Sequence, residues 1–433
     1  MSMRQDSHAG EDMDYSAPLQ VPLQATEPKQ GLKSAAGTSS GLSVIVVETL
    51  DDLKPYRSDI DDLAVFAADD NLFHEPWMLF PAIECLAGKK PVLFVLVFRT
   101  SREDPTDRRL CGFFPLERRS SYMGLSVPHL AMFSYPYCFK STPLLHRDHF
   151  KQTVQTFLDW VRLQSRIKLL DMQQISRRGC FHRAVKTRLE LRNIRYTEKR
   201  FTRACFVPDT DSATYWNKTL SAKARSKFRR LERRLSELGR LECDELSSVD
   251  DFDRWIEEFL VLEASGWKNS KGTAIGLSTR DRQFFWSIAR EGFHRKRMMM
   301  MALRLEGKAV AMLCNFRGGG GSYGYKTAYD ENFRHFSPGM LLFLKMIDRL
   351  HLDPEIRWLD SCAAPDNVSA NQIFSARRIF CNMTVSNSPI TGNTVLVVVE
   401  KLKRLRQLAR ATRAGAGRLR LPRLKHSIKP GRT

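Results

Sequence analysis

The chain has 433 residues, of which 42% are hydrophobic and 10% aromatic, enough to bury a large core and to form two or three domains. Its net charge of +21 favours anionic partners: the phosphates of a cofactor, a nucleic acid, or an anionic membrane surface. The nine cysteines form no CxxC pair and no cluster with zinc spacing, which argues against a disulfide scaffold and against a metal site.

The N-terminal residues show neither the basic nor the apolar region of a secretory signal. The longest apolar runs, at 91–98 and 394–399, are far shorter than the roughly 20 residues that cross a bilayer. We therefore expect a cytoplasmic protein, either soluble or peripheral at the inner face of the membrane. Residues 1–41 are rich in Ser, Gln, Pro, Gly and Ala, and this composition predicts a disordered tail.

The first half of the chain alternates predicted strands and helices. A strand in LSVIVVETL is followed by a helix, a loop and a helix over residues 61–88. The apolar runs KPVLFVLVFRT and LCGFFPLERRS flank the polar loop 100–109 and predict a hairpin. An amphipathic helix and the strand IKLLDMQQIS complete the pattern, which is typical of an α/β or α+β fold.

A basic segment at residues 215–240 joins the two halves. Its apolar residues Phe228, Leu231, Leu235 and Leu238 form a narrow stripe in a basic shell, which predicts two helices or one broken helix. The second half then repeats the order of the first: two helices, three strands with turns at EGK and GGGG, a helix and a strand. The run RGGGGSYG lacks the Lys-Ser/Thr of a phosphate loop and predicts a hairpin turn.

The helix that follows the third of these strands begins at Ser337-Pro338-Gly339 and is almost wholly apolar. Pro338 suits the first helical position, and Gly339 leaves the backbone N–H groups open. Two interpretations fit these residues equally: plain helix initiation, or an anion site at the positive end of the helix.

Three further places present side chains that bind or react. Lys326 and Asp330 end one predicted strand, where either is a general acid/base candidate or an exposed pair. Asp360 ends the next strand, at the edge where open sheets bind ligands. The loop WKNSKG combines an aromatic ring with lysines and glycine, which fits either an anion-and-ring site or a surface loop.

The stretches LSAKARSKFRRLERRLSELG, LEASGWKNSKGTAI, RLEGKAVAMLCNF and YGYKTAYDENFRHFSPGMLL resemble the CelD/BcsL-type acetyltransferases of the GNAT superfamily, which are linked to bacterial cellulose and exopolysaccharide synthesis. They are also similar to the FemAB-type aminoacyl transferases. The resemblance is strongest over about 215–365. It implies two tandem GNAT-like domains, each a mixed, mostly antiparallel sheet flanked by helices. We expect these domains at 42–205 and 206–395, followed by a basic C-terminal helix and tail at 396–433.

The resemblance also implies where ligands bind. Acyl-CoA would enter between two splayed central strands, with its pyrophosphate on Ser337, Pro338, Gly339 and Met340. Arg334 is retained from the usual GNAT signature, but the second glycine of that signature is absent, so an aminoacyl-tRNA or another acyl carrier stays an alternative donor. The family pattern carries over Trp267, Lys268 and Gly272 as substrate-binding candidates, together with Lys326 and Asp330. Asp360 is added to the substrate-binding candidates because of its place at the end of a strand.

The expected function is N- or O-acyl transfer from acetyl-CoA or another acyl-CoA, without a metal, to an amine or hydroxyl of a sugar or other small molecule in polysaccharide synthesis. Asp330 is the candidate base, and Lys326 would hold an anionic acceptor or carrier. Two alternatives stay open: a tRNA-dependent transferase or other RNA-binding protein, and a peripheral scaffold. The scaffold would use the twelve Lys/Arg of residues 401–433, where no Asp or Glu occurs, to bind an anionic membrane.

Overall fold

A computed structural model describes residues 41–88, 90–101, 107–265, 275 and 278–402. The first half of the chain contains β1 (Leu42–Val47), α1 (Leu50–Leu53), α2 (Arg57–Val65), α3 (Pro76–Ala82), β2 (Val92–Thr100), β3 (Arg108–Arg119), β4 (His129–Met132), β5 (Leu144–Leu145), α4 (Phe150–Leu163), β6 (Leu169–Ser176), α5 (Cys180–Leu191) and β7 (Tyr196–Phe206).

The second half contains α6 (Ser212–Thr219), α7 (Ala222–Ser236), β8 (Leu241–Glu245), α8 (Phe252–Ser265), α9 (Thr279–His294), β9 (Met298–Leu305), β10 (Lys308–Gly318), β11 (Gly321–Tyr329), α10 (Pro338–His351), β12 (Leu359–Asp360), α11 (Val368–Ile373) and β13 (Ala376–Ser386). A six-residue 3₁₀ helix, Glu331–Phe336, separates β11 from α10. The strand–helix order predicted for each half is confirmed.

The strands form one large mixed sheet in the order β1-β2-β3-β4-β6-β13-β7-β12-β11-β10-β9-β8, with β5 paired to β3. Among the described strands, only β4–β6 and β11–β12 pair in parallel. Helices cover both faces of the sheet. The predicted fold class, a mixed and mostly antiparallel sheet flanked by helices, is confirmed.

The centre of the sheet is built by two exchanged strands, β7 and β13. They pair with each other from Ala376–Cys205 to Val385–Tyr196. β7 comes from the first half yet pairs with β12, and β13 comes from the second half yet pairs with β6. The two halves therefore share main-chain hydrogen bonds, and the domain boundary that we expect at 205/206 stays a prediction.

The exchange also carries side chains into the cores. Phe206 of β7 is fully buried in the core that the second half forms with α7, α10 and α11. Met383 of β13 is fully buried in the core that the first half forms with α4 and α5. On the opposite face of the sheet, one core contains residues of both halves, among them Trp77, Phe259 and Tyr323. No core of either half is complete without the other half of the chain.

Two hairpins connect β9, β10 and β11 at the turns that the sequence predicts. Gly319 and Gly320 link β10 to β11 with φ angles of +59° and +69°, which suit a two-residue hairpin turn. A Cβ added at Gly319 would lie 1.9 Å from the Asp70 side chain. The glycine run is therefore a hairpin turn, as predicted.

The basic segment forms two helices, α6 and α7. Asp211 and Ser221 cap them, each accepting a hydrogen bond from a backbone N–H three residues later. Phe228, Leu231 and Leu235 of the predicted stripe are buried. Leu238, in contrast, lies beyond the end of α7 and is 55% exposed, so the apolar stripe is one residue shorter than predicted.

Residues 391–402 are helical, and Leu396 and Val399 are buried against Tyr122, Val127 and Leu169 of the first half. The beginning of the predicted C-terminal helix thus packs on the fold. The remainder of the basic tail, 403–433, lies outside the described residues. Within the described ranges, no helix has the length and apolarity needed to span a bilayer.

Glu198 on β7 anchors an ion-pair network at the edge of the first half. Its carboxylate accepts hydrogen bonds from Arg177 Nε at 2.9 Å and from Arg200 Nε at 2.8 Å, and lies 3.1 Å from His182 Nε2. Burial raises the pKa of the Glu198 carboxyl, but the hydrogen bonds from Arg200, His182 and Arg177 outweigh it and lower that pKa to about 2.

The lowered pKa of Glu198 predicts how the stability lost in Glu198→Gln depends on pH. A carboxylate with a lowered folded-state pKa stabilises the fold above its unfolded-state pKa, and this contribution is lost as the pH falls toward about 2. We expect the variant to unfold at lower urea concentration than wild type at pH 7, and the difference to shrink between pH 5 and pH 3. Urea titrations at these pH values measure it. A difference that stays constant with pH contradicts the ionic origin of this stabilisation.

The exchanged strands predict a single cooperative unfolding transition. Met383→Ala removes a fully buried side chain from the core of the first half, although the residue belongs to the second half by sequence, and should cost about 2–5 kcal/mol. Because the halves share strands, we expect the whole urea transition to shift. Two transitions, of which only one moves, would contradict this. Lys151→Ala, at an exposed site on α4, should change stability by less than about 0.5 kcal/mol.

Candidate active site

The parallel strands β11 and β12 separate after two residue pairs. They pair at Ser322–Leu359 and Tyr323–Asp360. β12 then ends, and Ser361 N–H donates to Ala204 O of β7 at 3.1 Å, so the chain follows β7 rather than β11. β11 continues to Tyr329 without that neighbour. The two strands splay apart at the place where the resemblance put the donor.

A cavity of about 460 Å³ opens at this splay. Its walls come from the second half of β11, from the N-terminus of α10 and from the segment after β12. The lining residues include Gly324, Tyr325, Lys326, Thr327, Tyr329, Arg334, Ser337, Pro338, Gly339, Met340, Phe343, Met346, Leu359, Ser361, Cys362, Ala363, Asn367 and Phe374. All five residues predicted to bind the cofactor line this one cavity, and their role in binding it stays a prediction.

A β-bulge shapes the wall formed by β11. Cys314 of β10 pairs with Lys326 and Asn315 pairs with Gly324, which leaves Tyr325 as the extra residue. A bulge leaves its extra residue outside the regular ladder and redirects the side chains that follow. Tyr325 lines the cavity, and Lys326 points to the same face as its partner Cys314, the face of the shared core.

The N-terminus of α10 forms the opposite wall. Ser337 adopts the left-handed conformation, with φ +54°, and its side chain makes no capping hydrogen bond. Met340 and Leu341 donate to Ser337 O at 2.9 and 3.1 Å. Pro338 has no N–H, and the Gly339 N–H has no acceptor among the described residues. A Cβ added at Gly339 would meet only Tyr329 Cδ1, at 3.5 Å. This open, positive helix end fits an anionic group.

Lys326 lies on the other side of the splay, between the two halves of the chain. Its Nζ is 3.5 Å from Glu263 Oε1 and 4.6 Å from the centre of the Tyr137 ring. Glu263 is fully buried at its side chain and accepts the Ile275 N–H at 2.8 Å. The Tyr137 hydroxyl donates to Asp281 at 2.8 Å, and burial together with this carboxylate raises the pKa of Tyr137. A cation is thus held at the inner end of the cavity by a buried carboxylate.

Glu263 and Tyr137 were not predicted as site residues. Glu263 falls on the buried side of α8, in helical register with Trp255, Phe259 and Leu260. A single acid on such an apolar face is a signal that the sequence does contain. Tyr137 lies in a loop of the first half, so only the tertiary structure brings it to Lys326.

Two of the predicted carboxylates lie outside the cavity wall. Asp330 caps the 3₁₀ helix and accepts the Asn332 N–H at 2.9 Å. Asp360 is completely buried, where Oδ2 lies 3.6 Å from Arg203 and 4.0 Å from Arg378, and Oδ1 accepts the Cys362 N–H. Asp330 therefore has a capping role, and Asp360 ties the exchanged strands to β12. Their predicted roles as base and substrate ligand stay predictions.

The predicted substrate residues Trp267, Lys268 and Gly272 lie outside the described residues. A larger groove of about 980 Å³ runs between α3 and α9, but its described lining contains none of the predicted site residues that the structure describes. Its arginines already contact carboxylates: Arg282 with Glu257, for example, and Arg290 with Asp253 at 3.8 Å. We therefore place the candidate site at the splay.

One cluster in the described part has ligand atoms close enough for a metal ion: His182, Glu198 and Cys381, within 4.8 Å of one another. Both oxygens of the Glu198 carboxylate are already engaged by cationic or imidazole groups. Burial raises the pKa of the Cys381 thiol to about 12, which keeps it protonated. These residues fit an ion-pair network better than a metal, and the expectation of a metal-free enzyme stays a prediction.

Comparisons with known proteins agree with this geometry. Residues 222–367 match the family model described as an acetyltransferase (GNAT) domain. The crystal structure of FemX superposes with a TM-score of 0.50 at 10% identity, covering 77% of this chain and 97% of FemX. A comparison with curated protein sequences gives no match.

Two further solved structures match over most of their length. A tandem GNAT protein from the clavulanic acid biosynthesis pathway covers 80% of this chain and 99% of its own, with a TM-score of 0.39 and 11% identity. L-PGS from Bacillus licheniformis covers 80% and 95%, with a TM-score of 0.42 and 13% identity. At such identities a likeness concerns the fold alone. The matched region 222–367 contains β11, α10 and β12, so the candidate site lies within the part of the chain that is similar to the GNAT acetyltransferase family.

Proposed function

We propose that this protein is an acyltransferase that moves an acetyl or other acyl group from acyl-CoA to an amine or hydroxyl. The observation that carries the proposal is the cavity between β11 and β12, which is bordered on one side by the open N-terminus of α10 and on the other by the bulge at Tyr325. The GNAT family match over the same residues supports it.

The donor would lie along the cavity with its pyrophosphate at the α10 end. The Gly339 N–H and the positive helix end face that position, and Arg334 lines it. The pantetheine arm would follow the splay past Gly324, where the strands are still close: a Cβ there would be 3.2 Å from Ser361 O. The thioester would then reach the bulge.

The chemistry needs the acceptor and the thioester to be held together. The nucleophilic nitrogen or oxygen attacks the thioester carbonyl, the C–S bond breaks, and the departing thiolate takes up the proton that the nucleophile loses. The Tyr325 backbone N–H, freed from the regular ladder by the bulge, would stabilise the oxyanion. Lys326 lies on the shared-core side and would bind an anionic group of the acceptor, held in position by Glu263.

The acceptor class comes from the resemblance. The CelD/BcsL-type pattern supports a sugar intermediate of cellulose or another bacterial exopolysaccharide, in the cytoplasm. A cationic Lys326 supports an acceptor that carries a negative charge, as nucleotide-linked sugars do.

A second candidate function is supported by the surface of α7. The FemAB-type transferases that the sequence resembles take their acyl group from tRNA, and the exposed basic residues of α7 lie beside the 3₁₀ helix that leads to the cavity. Binding of tRNA with a steep dependence on salt would favour this donor over acyl-CoA.

Gly339→Asp tests the anion site. An acidic residue in the first turn of a helix stabilises it, so the fold should be retained, but the added charge should repel a pyrophosphate. We expect the dissociation constant of acetyl-CoA, measured by calorimetry, to rise at least about tenfold. Gly339→Asn adds similar bulk without charge and should lose less, and neither variant should change the affinity for pantetheine. Equal acetyl-CoA affinity in the Asp and Asn variants would refute the site.

Lys326→Met tests the acceptor side. Removing the cation should lower kcat/KM for thiol release at least about tenfold, because the acceptor loses its charged partner, while acetyl-CoA affinity stays within twofold. The assay follows thiol release with the best acceptor from a panel of amino sugars, hydroxy sugars and nucleotide-linked sugars.

Stability must be separated from activity in this test, because Lys326→Met removes a cation that lies beside the buried Glu263 carboxylate. We expect the double variant Lys326→Met, Glu263→Gln to regain thermal stability without regaining activity. Lys345→Met, which removes a cation of α10 that is also paired with a carboxylate, serves as the control. Recovery of activity along with stability would show that the pair is structural.

A further inference from the structure

We infer that the exposed side of α7 is a docking surface for an acidic carrier protein that delivers the acyl group on a 4′-phosphopantetheine arm. The inference rests on the proposed function, because the arm would enter the cavity between β11 and β12. It goes beyond that function by naming a macromolecular partner and the surface that binds it. We call this surface the basic face; it consists of Lys223, Lys227, Arg229, Arg230, Arg233 and Arg234, all of them exposed.

Within the described ranges, most cations of the basic face are not neutralised by a neighbouring carboxylate. Among the described residues, only Arg233 of this set has a carboxylate within 4 Å, that of Glu237 at 3.6 Å. The single acid within α7, Glu232, is engaged by Lys345 at 2.7 Å. The opposite side of α7 is buried through Phe228, Leu231 and Leu235. The helix is therefore fixed on the fold while its charges face outward.

The basic face continues directly to the mouth of the cavity. The Arg234 guanidinium lies 5.8 Å from the centre of the Phe336 ring. Phe336 immediately precedes Ser337, and Arg334 lines the cavity. A ligand whose phosphate sits at Gly339 would thus have its outer end at the Arg234 end of the basic face.

The length of the basic face exceeds what a nucleotide needs. From Lys223 to Arg234 the helix rises about 17 Å at 1.5 Å per residue. The nucleotide of CoA is one compact group and would meet only the end near Arg234. The cations at Lys223 and Lys227 lie two to three turns farther from the cavity, which points to a larger anionic partner that covers the whole helix.

The arrangement of the charges favours a protein over RNA. Lys223, Lys227, Arg230 and Arg234 follow one another at spacings of four, three and four residues, so they form one straight stripe along α7. Such a stripe matches acidic residues at the same spacing on a helix of a partner. The exposed side of α7 presents no aromatic residue on which bases of a single strand could stack.

The probe is a bacterial acyl carrier protein, used with and without its phosphopantetheine arm. Fluorescence anisotropy measures the binding of each form to wild type and to the variants. We expect the form with the arm to bind more tightly than the form without it. Lys227→Glu with Arg230→Glu should weaken both forms at least about tenfold, with a marked salt dependence, while CoA affinity stays within twofold. Lys151→Glu with Arg162→Glu on α4 makes the same charge change at exposed positions of the first half and should leave carrier binding within twofold.

Three results would overturn the inference: no binding of the carrier protein to wild type, equal losses in the α7 and α4 variants, or binding of tRNA that the α7 variant abolishes while the carrier protein does not compete. A failure of the proposed function looks different, because wild type would then bind neither CoA nor the arm. CoA binding without any effect of the α7 variant on the carrier protein overturns the docking surface alone.

Discussion

The antiparallel pairing of β7 with β13 is the constraint on which the rest of the structure depends. Each strand is contributed by one half of the chain and inserted among strands of the other half. The sheet is therefore continuous only when both halves are folded together. The pair also fixes β12, because Leu359 and Asp360 pair with Phe206 and Cys205 of β7. Buried Asp360 adds a charge contact from β12 to Arg203 of β7 and Arg378 of β13. The end of β12 is therefore tied to the exchanged strands more firmly than to β11.

The cavity follows from this tie. β12 pairs with both β7 and β11 at Leu359 and Asp360, but the next residue, Ser361, continues only along β7, so the parallel pair opens after Tyr323. The bulge at Tyr325 bends β11 at the same level, and the 3₁₀ helix Glu331–Phe336 returns the chain so that α10 begins beside the gap. An open helix end, a β-bulge and a buried ion pair then meet at one gap. None of these three features is a binding site by itself. The pairing of β7 with β13 at the centre of the sheet brings them to the same gap.

Local features of this fold could be predicted from the sequence, whereas the long-range pairing could not. The hairpins, the capped helices and the helix start at Ser337-Pro338-Gly339 depend on neighbouring residues, and sequence patterns report these directly. The exchange of β7 and β13 depends on residues between 171 positions apart, in the Ala376–Cys205 pair, and 189 positions apart, in the Val385–Tyr196 pair, and it leaves no local pattern. Asp330 shows a limit of another kind. Its position at a strand end suggested a base, but its hydrogen bond with the Asn332 N–H, which caps the 3₁₀ helix, could not be read from that context.

The charge of the protein divides into two populations with different physical roles. Interior arginines are matched to acids: Arg304 contacts Glu258 and Asp244, with its side chain only 7% exposed. Such pairs offset the cost of burying charge and leave no field outside the molecule. The cations of α7 are exposed, and most have no carboxylate nearby among the described residues, so their fields add and extend about a Debye length into solvent. The exposed cations of α7 do not neutralise acids of the fold, and they lie near the opening of the cavity. We attribute their position to an anionic partner that approaches this opening.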